Sequence, residues 1–169
     1  MRCFVAVDIG INEAISGFLR DLKNMGKVVE GENIHLTLKF LGEIESTAAI
    51  EKGLSEIKFP KFKLILKGLD AFPNLKRGRI LFLNATPLDN ISSLASEIDA
   101  RTSMIPLDHP FHPHVTVLRL REPKDLTSLA SRFESVVFAQ EYINSFHLYQ
   151  STLTSRGPVY KIIKSFQLI

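Results

Sequence analysis

The sequence predicts an α+β fold of two lobes, each a mainly antiparallel sheet with helices on its outer face, facing each other across a central cleft. The order strand, helix, strand, helix occurs twice, and a His-x-Thr triplet opens the strand after the helix each time, at His35 and at His114. The chain of 169 residues, 45% hydrophobic and 23% charged, is long enough for one substantial core. We therefore expect one two-lobed domain over residues 1–169, with the lobes related by an approximate two-fold axis.

The first half of the chain contains two predicted strands, each followed by a helix. Strand Cys3–Ile9 precedes a helix capped by Asn12 and stopped by Gly26, whose apolar residues follow helical spacing: Ala14, Ile15, Phe18, Leu19, Leu22 and Met25. Asn33–Gly42 alternates polar and apolar residues, as a half-buried strand does. Ser46 is the expected cap of a shorter helix with an apolar stripe of Ile50, Leu54 and Ile57.

Two further strands are predicted over Phe62–Leu66 and Arg79–Leu83, and the second of them begins the repeated order of strand, helix, strand, helix. Thr86-Pro87 predicts a helix with proline at its first position and a buried stripe of Ile91, Leu94, Ala95 and Ile98. The second histidine strand is predicted over His114–Leu120. A helix follows Pro123 and uses Leu126, Leu129, Ala130 and Phe133.

Three late segments are predicted as strands: Val136–Phe138, Tyr142–Tyr149 and Val159–Leu168. The last two are expected to form a hairpin around Arg156-Gly157-Pro158, because glycine and proline favour tight turns.

Composition excludes several classes of protein. Cys3 is the only cysteine, which excludes an intramolecular disulfide and a cysteine-based zinc site and fits the reducing cytoplasm. Met1–Ile9 is too short and too soon interrupted by Asp8 for a signal sequence, and no stretch is long enough to cross a membrane. The net charge of +3 allows a polyanionic partner. No phosphate-binding glycine loop is present, so ATP use is not implied.

The two triplets predict a phosphate-handling site. Regular alternation places His35, Thr37 and Lys39 on one strand face, with Leu36, Leu38 and Phe40 on the other. His114 and Thr116 repeat the pattern 79 positions later. Two imidazoles facing each other across a cleft can act as acid and base on one phosphate, while the hydroxyls donate to its oxygens.

For two basic residues, the sequence allows either a position in the cleft or a solvated position. Regular alternation turns Arg119 away from His114, so Arg119 is either a solvated outer residue or is brought into the cleft by a bulge or the strand end. Lys39 has the parity of a cleft residue, but a lysine at the far end of a strand is also commonly solvated.

Other histidines and a basic segment are secondary candidates. His112 is expected to brace the turn before His114, although His109, His112 and His114 together raise a metal site as a minor alternative. His147 and Tyr149 share a strand face and either line the cleft or pack. The segment 58–79 is a candidate backbone-tracking and base-stacking surface, with these residues: Lys61, Lys63, Lys67, Lys76, Arg77, Arg79, Phe59, Phe62 and Phe72.

The chain resembles the LigT-like RNA 2′,3′-cyclic phosphodiesterases, or 2′-5′ RNA ligases, of the two-histidine phosphoesterase superfamily. The resemblance rests on four stretches: Arg2 to Asp8 (RCFVAVD), Asn33 to Gly42 (NIHLTLKFLG), Phe111 to Thr116 (FHPHVT), and Leu148 to Ser151 (LYQS) with Gly157 to Tyr160 (GPVY). It implies a bilobal fold of pseudo two-fold symmetry and a metal-independent site without a cofactor. The family often has a tryptophan before the first histidine strand, where this chain has Val28-Val29.

The resemblance also implies roles. His35 and His114 would be the acid-base pair, Thr37 and Thr116 would contact the phosphate, and the family's basic residue at the position of Arg119 favours the cleft there. The expected reaction opens a 2′,3′-cyclic phosphate at an RNA end to a 2′-phosphomonoester. The RNA substrates are expected to include tRNA fragments. The reverse ATP-independent reaction would form a 2′-5′ linkage.

The enzyme is expected to be a cytoplasmic monomer. The alternatives are an RNA-end-binding module without turnover, and a phosphodiesterase for small nucleotide cyclic phosphates or 2′-5′ oligonucleotides.

Overall fold

A computed structural model describes residues 1–169, which form nine strands and four helices. The strands are β1 (Arg2–Asp8), β2 (Lys27–Val28), β3 (His35–Glu43), β4 (Phe62–Phe72), β5 (Gly78–Thr86), β6 (His114–Lys124), β7 (Val137–Ile143), β8 (Ser145–Thr154) and β9 (Gly157–Gln167). The helices are α1 (Glu13–Leu22), α2 (Ala48–Ser55), α3 (Leu88–Arg101) and α4 (Thr127–Arg132).

The strands form two antiparallel sheets, so the α+β prediction is confirmed. One sheet has the order β3-β1-β8-β9 and the other the order β2-β6-β5-β4-β7. In each sheet the histidine strand pairs with the strand that precedes it across one helix: β3 with β1 across α1, and β6 with β5 across α3. The two predicted occurrences of strand, helix, strand therefore build corresponding parts of two sheets.

Both sheets contribute to one hydrophobic core of 40 buried residues. Its fully buried members include Leu36 of β3 and Phe146 of β8 from one sheet, and Leu81 of β5 and Phe138 of β7 from the other. None of the four helices combines the length and the apolar character that crossing a membrane requires.

The first two helices agree with the prediction except at their ends. The Asn12 side chain caps α1 by accepting from the Ile15 N–H at 2.8 Å, as predicted, but the helix ends at Leu22 and leaves Met25 in a turn. Helix α2 begins after Thr47 rather than directly after Ser46. Ser46 still accepts from the Ala48 N–H at 3.3 Å, so it serves the turn before the helix.

Further differences from the prediction concern α3, β7 and β2. Pro87 has extended backbone and precedes α3, so the prediction that it is the first helical residue is wrong. Tyr142 and Ile143 belong to β7 rather than to β8, and only Asn144 separates the two strands. They are distinct strands because they pair in different sheets. The two-residue strand β2 was not predicted, since it is too short for any alternation. The β8–β9 hairpin is confirmed, with Thr154 paired to Gly157.

Candidate active site

A bulge in β3 decides which of its side chains reach the cleft. Ala6 of β1 pairs with Thr37 and Val5 pairs with Lys39, which leaves Leu38 as an extra residue. An extra residue shifts the alternation by one position. Leu38 and Lys39 are consequently both buried, and Phe40 joins His35 and Thr37 on the cleft face.

The same bulge occurs in β6. Phe82 of β5 pairs with Thr116 and Leu81 pairs with Leu118, which leaves Val117 as the extra residue. Arg119 is therefore exposed on the face that carries His114 and Thr116, where it lines the cleft. Of the two readings that the sequence left open for Arg119, the bulge is the one observed.

The prediction that Lys39 shares a face with His35 and Thr37 is wrong, because the bulge turns its side chain into the interior. Its Nζ donates to Asp99 Oδ1 at 2.6 Å, to the Ile105 carbonyl at 2.6 Å, and to Thr102 Oγ1 at 3.0 Å. The side chain is fully buried, and it links β3 to the end of α3 and to the chain that leads toward His114. Lys39 is thus a structural ammonium rather than a cleft residue.

The His35 ring is held by a backbone hydrogen bond and by aromatic neighbours. A single 3₁₀ turn over Gly31–Asn33 brings the Asn33 carbonyl within 2.6 Å of His35 Nδ1. Since a carbonyl only accepts, Nδ1 carries the proton, and Nε2 of the neutral ring accepts from the Thr37 hydroxyl at 2.8 Å. The rings of Phe4 and Tyr160 pack against the imidazole with centroid distances of 5.1 and 5.3 Å.

His114 has the same backbone anchor in the other sheet. Its Nδ1 donates to the His112 carbonyl at 2.7 Å, so Nε2 is the unprotonated nitrogen of the neutral ring, as in His35. Phe72 and Phe82 pack edgewise against the ring with centroid distances of 4.9 and 5.3 Å. The two rings therefore have the same tautomer, and each is oriented by the backbone carbonyl two residues before it.

Electrostatics favour the neutral form of both rings. Burial is the main reason that the pKa of His35 lies below its ordinary value of 6.5, although the bond to the Asn33 carbonyl acts in the opposite direction. Burial likewise lowers the pKa of His114 against the effect of the His112 carbonyl. The positive charge of Arg119 lowers the pKa of both histidines further.

Side chains of the two histidine strands, β3 and β6, line one cleft of about 880 Å³. His35, Thr37, His114, Thr116 and Arg119 all line it. Five predicted candidates from two different sheets thus share one cleft, which is large enough for a nucleotide.

His147 and Tyr149 do not line the cleft. They share a face of β8, as predicted, with ring centroids 5.7 Å apart. Tyr149 stacks on Phe4 behind the cleft, and burial raises its pKa to about 12, so the phenol stays protonated. His147 Nδ1 is bonded to the Ser165 hydroxyl at 2.8 Å. The packing alternative is the correct one for this pair.

The remaining histidines do not form a metal site. No group of three or more ligating side chains is close enough to hold a metal ion. His109 is hydrogen-bonded to Asp108, while His112 supplies the carbonyl that orients His114. His112 therefore orients His114 through its backbone carbonyl, and the bracing role of its side chain stays a prediction.

The segment 58–79 does not form a base-stacking surface. Phe62 is buried in the core, Phe59 packs against the core, and Phe72 packs against His114. The lysines and arginines of the segment are exposed, and none of them lines the cleft.

Several residues around the cleft were not predicted as site residues. Phe4 and Tyr160 come from β1 and β9, and Phe40 is 52% exposed in the cleft. Phe4 and Tyr160 lie in two of the stretches that carry the family resemblance, which was the available signal for them. Regular alternation places Phe40 on the face of Leu36 and Leu38, and the bulge at Leu38 turns it to the cleft instead.

Comparisons with known proteins agree with this geometry. The family model of the 2′-5′ RNA ligase superfamily matches residues 12–153. An RNA 2′,3′-cyclic phosphodiesterase of Aquifex aeolicus is 40% identical over 159 residues, covering 88% of this chain and 85% of that protein. One from Archaeoglobus fulgidus is 35% identical over 176 residues, covering 99% of this chain and all of that protein, 100%.

The fold also matches a solved structure. Escherichia coli LigT in its apo form aligns with a TM-score of 0.78 at 24% identity, covering 99% of this chain and 96% of that one. Because the superfamily model spans most of the sequence and the relatives align over nearly all of it, the chain belongs to the 2′-5′ RNA ligase superfamily.

Proposed function

We propose that this protein is an RNA 2′,3′-cyclic phosphodiesterase that opens a terminal cyclic phosphate to a 2′-phosphomonoester and a 3′-hydroxyl. The observation that carries the proposal is the matched pair of imidazoles. His35 and His114 each donate from Nδ1 to a backbone carbonyl, at 2.6 and 2.7 Å, each has an unprotonated Nε2, and both line the cleft. The relatives of this chain that carry the same activity in their names support the choice of substrate.

The reaction needs one histidine in each protonation state. The neutral ring takes a proton from water at Nε2 as the water oxygen bonds to phosphorus. The other ring, protonated, gives its Nε2 proton to the departing 3′ oxygen as the bond from phosphorus to that oxygen breaks. The near-symmetry of the pair supports both assignments of acid and base equally. Since burial lowers both pKa values, binding of the phosphate anion is what favours protonation of one ring.

Thr37, Thr116 and Arg119 are proposed to hold the phosphate. The guanidinium of Arg119 supplies a positive charge for the charge that builds on the non-bridging oxygens. The Thr37 hydroxyl donates to His35 Nε2 in the resting protein. Once His35 is protonated, Nε2 no longer accepts, and the hydroxyl is free to donate to a phosphate oxygen.

The same groups serve ligation. An RNA 5′-hydroxyl in place of water would give a 2′-5′ linkage with the same two proton transfers, and no step requires ATP. Because water is in large excess over RNA 5′-hydroxyls, hydrolysis is the main reaction. We further propose that residues 1–169 act as one two-lobed domain and a monomer in the cytoplasm, on RNA ends that include tRNA fragments.

Product analysis tests the function. RNA ending in a 2′,3′-cyclic phosphate is incubated with the wild-type protein and a chelator, and the product end is identified by its mass and by its resistance to a 3′-specific phosphatase. We expect complete conversion to the 2′-phosphate. A 3′-phosphate product would contradict the proposed leaving group. Binding of the RNA end without any product would support a binding module instead.

A further inference from the structure

Five cationic side chains line the cleft without a carboxylate partner. They are Arg2, Lys23, Lys27, Arg119 and Arg156. The ion pairs of the protein involve only the N-terminus, Lys39, Arg101 and His109, so none of the five is neutralised. The only carboxylates in the cleft lining are Glu30 and Asp108, and Asp108 is bonded to His109. The cleft is therefore open to an anion larger than one phosphate.

Three of these cations come from neighbouring parts of the cleft wall, and we call them the cationic row: Arg119, Lys27 and Arg156. Lys27 is paired with Arg119 across the β2–β6 ladder. Its Nζ lies 3.9 Å from the point that a Cβ on Gly157 would occupy, and Arg156 directly precedes Gly157 at the tip of the β8–β9 hairpin. The row thus begins on the His114 strand, β6, and ends at the β8–β9 hairpin of the other sheet.

The backbone beneath the cationic row is fixed. A Cβ at Gly26 would lie 2.7 Å from the Arg119 carbonyl oxygen, so only glycine allows the chain to reach β6 there. The Val29 N–H donates to the carbonyl of the bulge residue Val117 at 2.9 Å. Asn33 Nδ2 holds the hairpin through the Pro158 carbonyl at 3.0 Å. Cations on such a fixed frame lose little conformational freedom of the backbone when they bind an anion.

We infer that the cationic row binds the phosphates of the RNA strand on the 5′ side of the terminal nucleotide, which makes the enzyme selective for an RNA end over a mononucleotide. The inference rests on the proposed function. In a cyclic-phosphate end the 2′ and 3′ oxygens are both in the ring, so the strand leaves the site only through its 5′ oxygen. With the cyclic phosphate at Arg119, the next phosphates meet Lys27 and then Arg156.

The test compares two substrates that share the reacting group. Lys27→Gln, Arg156→Gln and the double variant are assayed on a short RNA ending in 2′,3′-cyclic phosphate and on a nucleoside 2′,3′-cyclic phosphate, at several salt concentrations. We expect each single substitution to lower kcat/KM on the RNA about ten-fold. The slope of log kcat/KM against log salt should become shallower by roughly 0.7 per lost phosphate contact. Rates on the mononucleotide should not change.

Matched controls use exposed cations outside the cleft, Lys52→Gln on α2 and Arg20→Gln on α1. Both should leave both substrates unaffected. Equal losses on the two substrates in the Lys27 and Arg156 variants would overturn the inference, because the row would then act at the reacting phosphate. Unchanged RNA kinetics and an unchanged salt slope would also overturn it.

A binding measurement separates this inference from the proposed function. Failure of the wild-type protein to turn over either substrate contradicts the function. In that case the anisotropy of labelled RNA with a 2′-phosphate end still tests the row: weaker binding in the double variant supports it, and equal binding overturns it.

Discussion

Phe40 and Arg119 occupy corresponding positions, each five residues after a cleft histidine and each turned to the cleft by a bulge, at Leu38 and at Val117. The two histidine strands are thus alike in backbone but differ in the side chain they present at this point. One side of the cleft offers an aromatic face and the other a guanidinium. This difference predicts that a nucleotide binds in one orientation, with its base toward Phe40 and its phosphate toward Arg119.

Replacement of Phe40 tests this orientation. A base stacked on an aromatic ring contributes about 1–3 kcal/mol, so Phe40→Ala should raise KM roughly 5-fold to 150-fold on RNA and leave kcat nearly unchanged. Phe40→Tyr keeps the ring and should retain the wild-type KM. Because Phe40 is 52% exposed, neither variant should lose much stability. A lower kcat at constant KM in Phe40→Ala would contradict a stacking role.

Arg119→Gln should change the pH dependence as well as the rate. The positive charge of Arg119 lowers the pKa of both histidines, so its removal should raise both and move the bell-shaped profile of kcat/KM to higher pH. Loss of the charge at the phosphate should lower kcat/KM at the optimum about 100-fold. Arg121→Gln, on the same strand but outside the cleft lining, should do neither. A slower enzyme with an unshifted profile would contradict the electrostatic part of this account.

Lys39→Met should destabilise the protein by about 3 kcal/mol, since it leaves the polar groups around the ammonium without their donor. The Ile105 carbonyl and Asp99 lose bonds of 2.6 Å each. Asp99→Asn should cost less, because the Asp99 side chain is 40% exposed and the amide oxygen can still accept. Urea unfolding of both variants checks the order. A Lys39→Met protein as stable as the wild type would contradict the structural role.

Acid should destabilise the fold through the two cleft histidines. Their folded-state pKa values lie below the ordinary 6.5, so the unfolded chain binds more protons between those values and 6.5. Their contribution to stability is complete above pH 6.5 and is lost as pH falls through the lowered pKa values. The free energy of unfolding of His35→Gln, measured across this range, should fall less steeply than that of the wild type. Parallel curves would show that burial of His35 is not linked to folding.

The sequence predicted the elements whose signals are local. The cap at Asn12, the alternation from His35 to Thr37 and the β8–β9 hairpin follow from residues close together in the chain, and all are observed. The bulges at Leu38 and Val117 depend on pairing with β1 and β5, which lie far away in sequence. Alternation alone therefore predicts the wrong strand face for Lys39 and for Phe40, and it leaves the face of Arg119 open.

The cleft walls were harder to predict for the same reason. Phe4 and Tyr160 pack around His35 from strands near the two ends of the chain, and no spacing within one segment indicates that they meet. The sequence does not show that the chain passes from one sheet to the other at Asn144. Strands β7 and β8 are separated by this single residue, and no local signal marks the break. Only the choice of pairing partners separates them.

The central claim is that His35 and His114 form one acid-base pair without a metal, and their replacement tests it most directly. His35→Asn and His114→Asn should each lower kcat on a cyclic-phosphate RNA end about 100-fold to 10,000-fold. His147→Asn, the control, should not, because His147 lies outside the cleft. Wild-type activity should be unchanged by a chelator. Full activity in either cleft variant, or loss of wild-type activity with the chelator, would contradict the account.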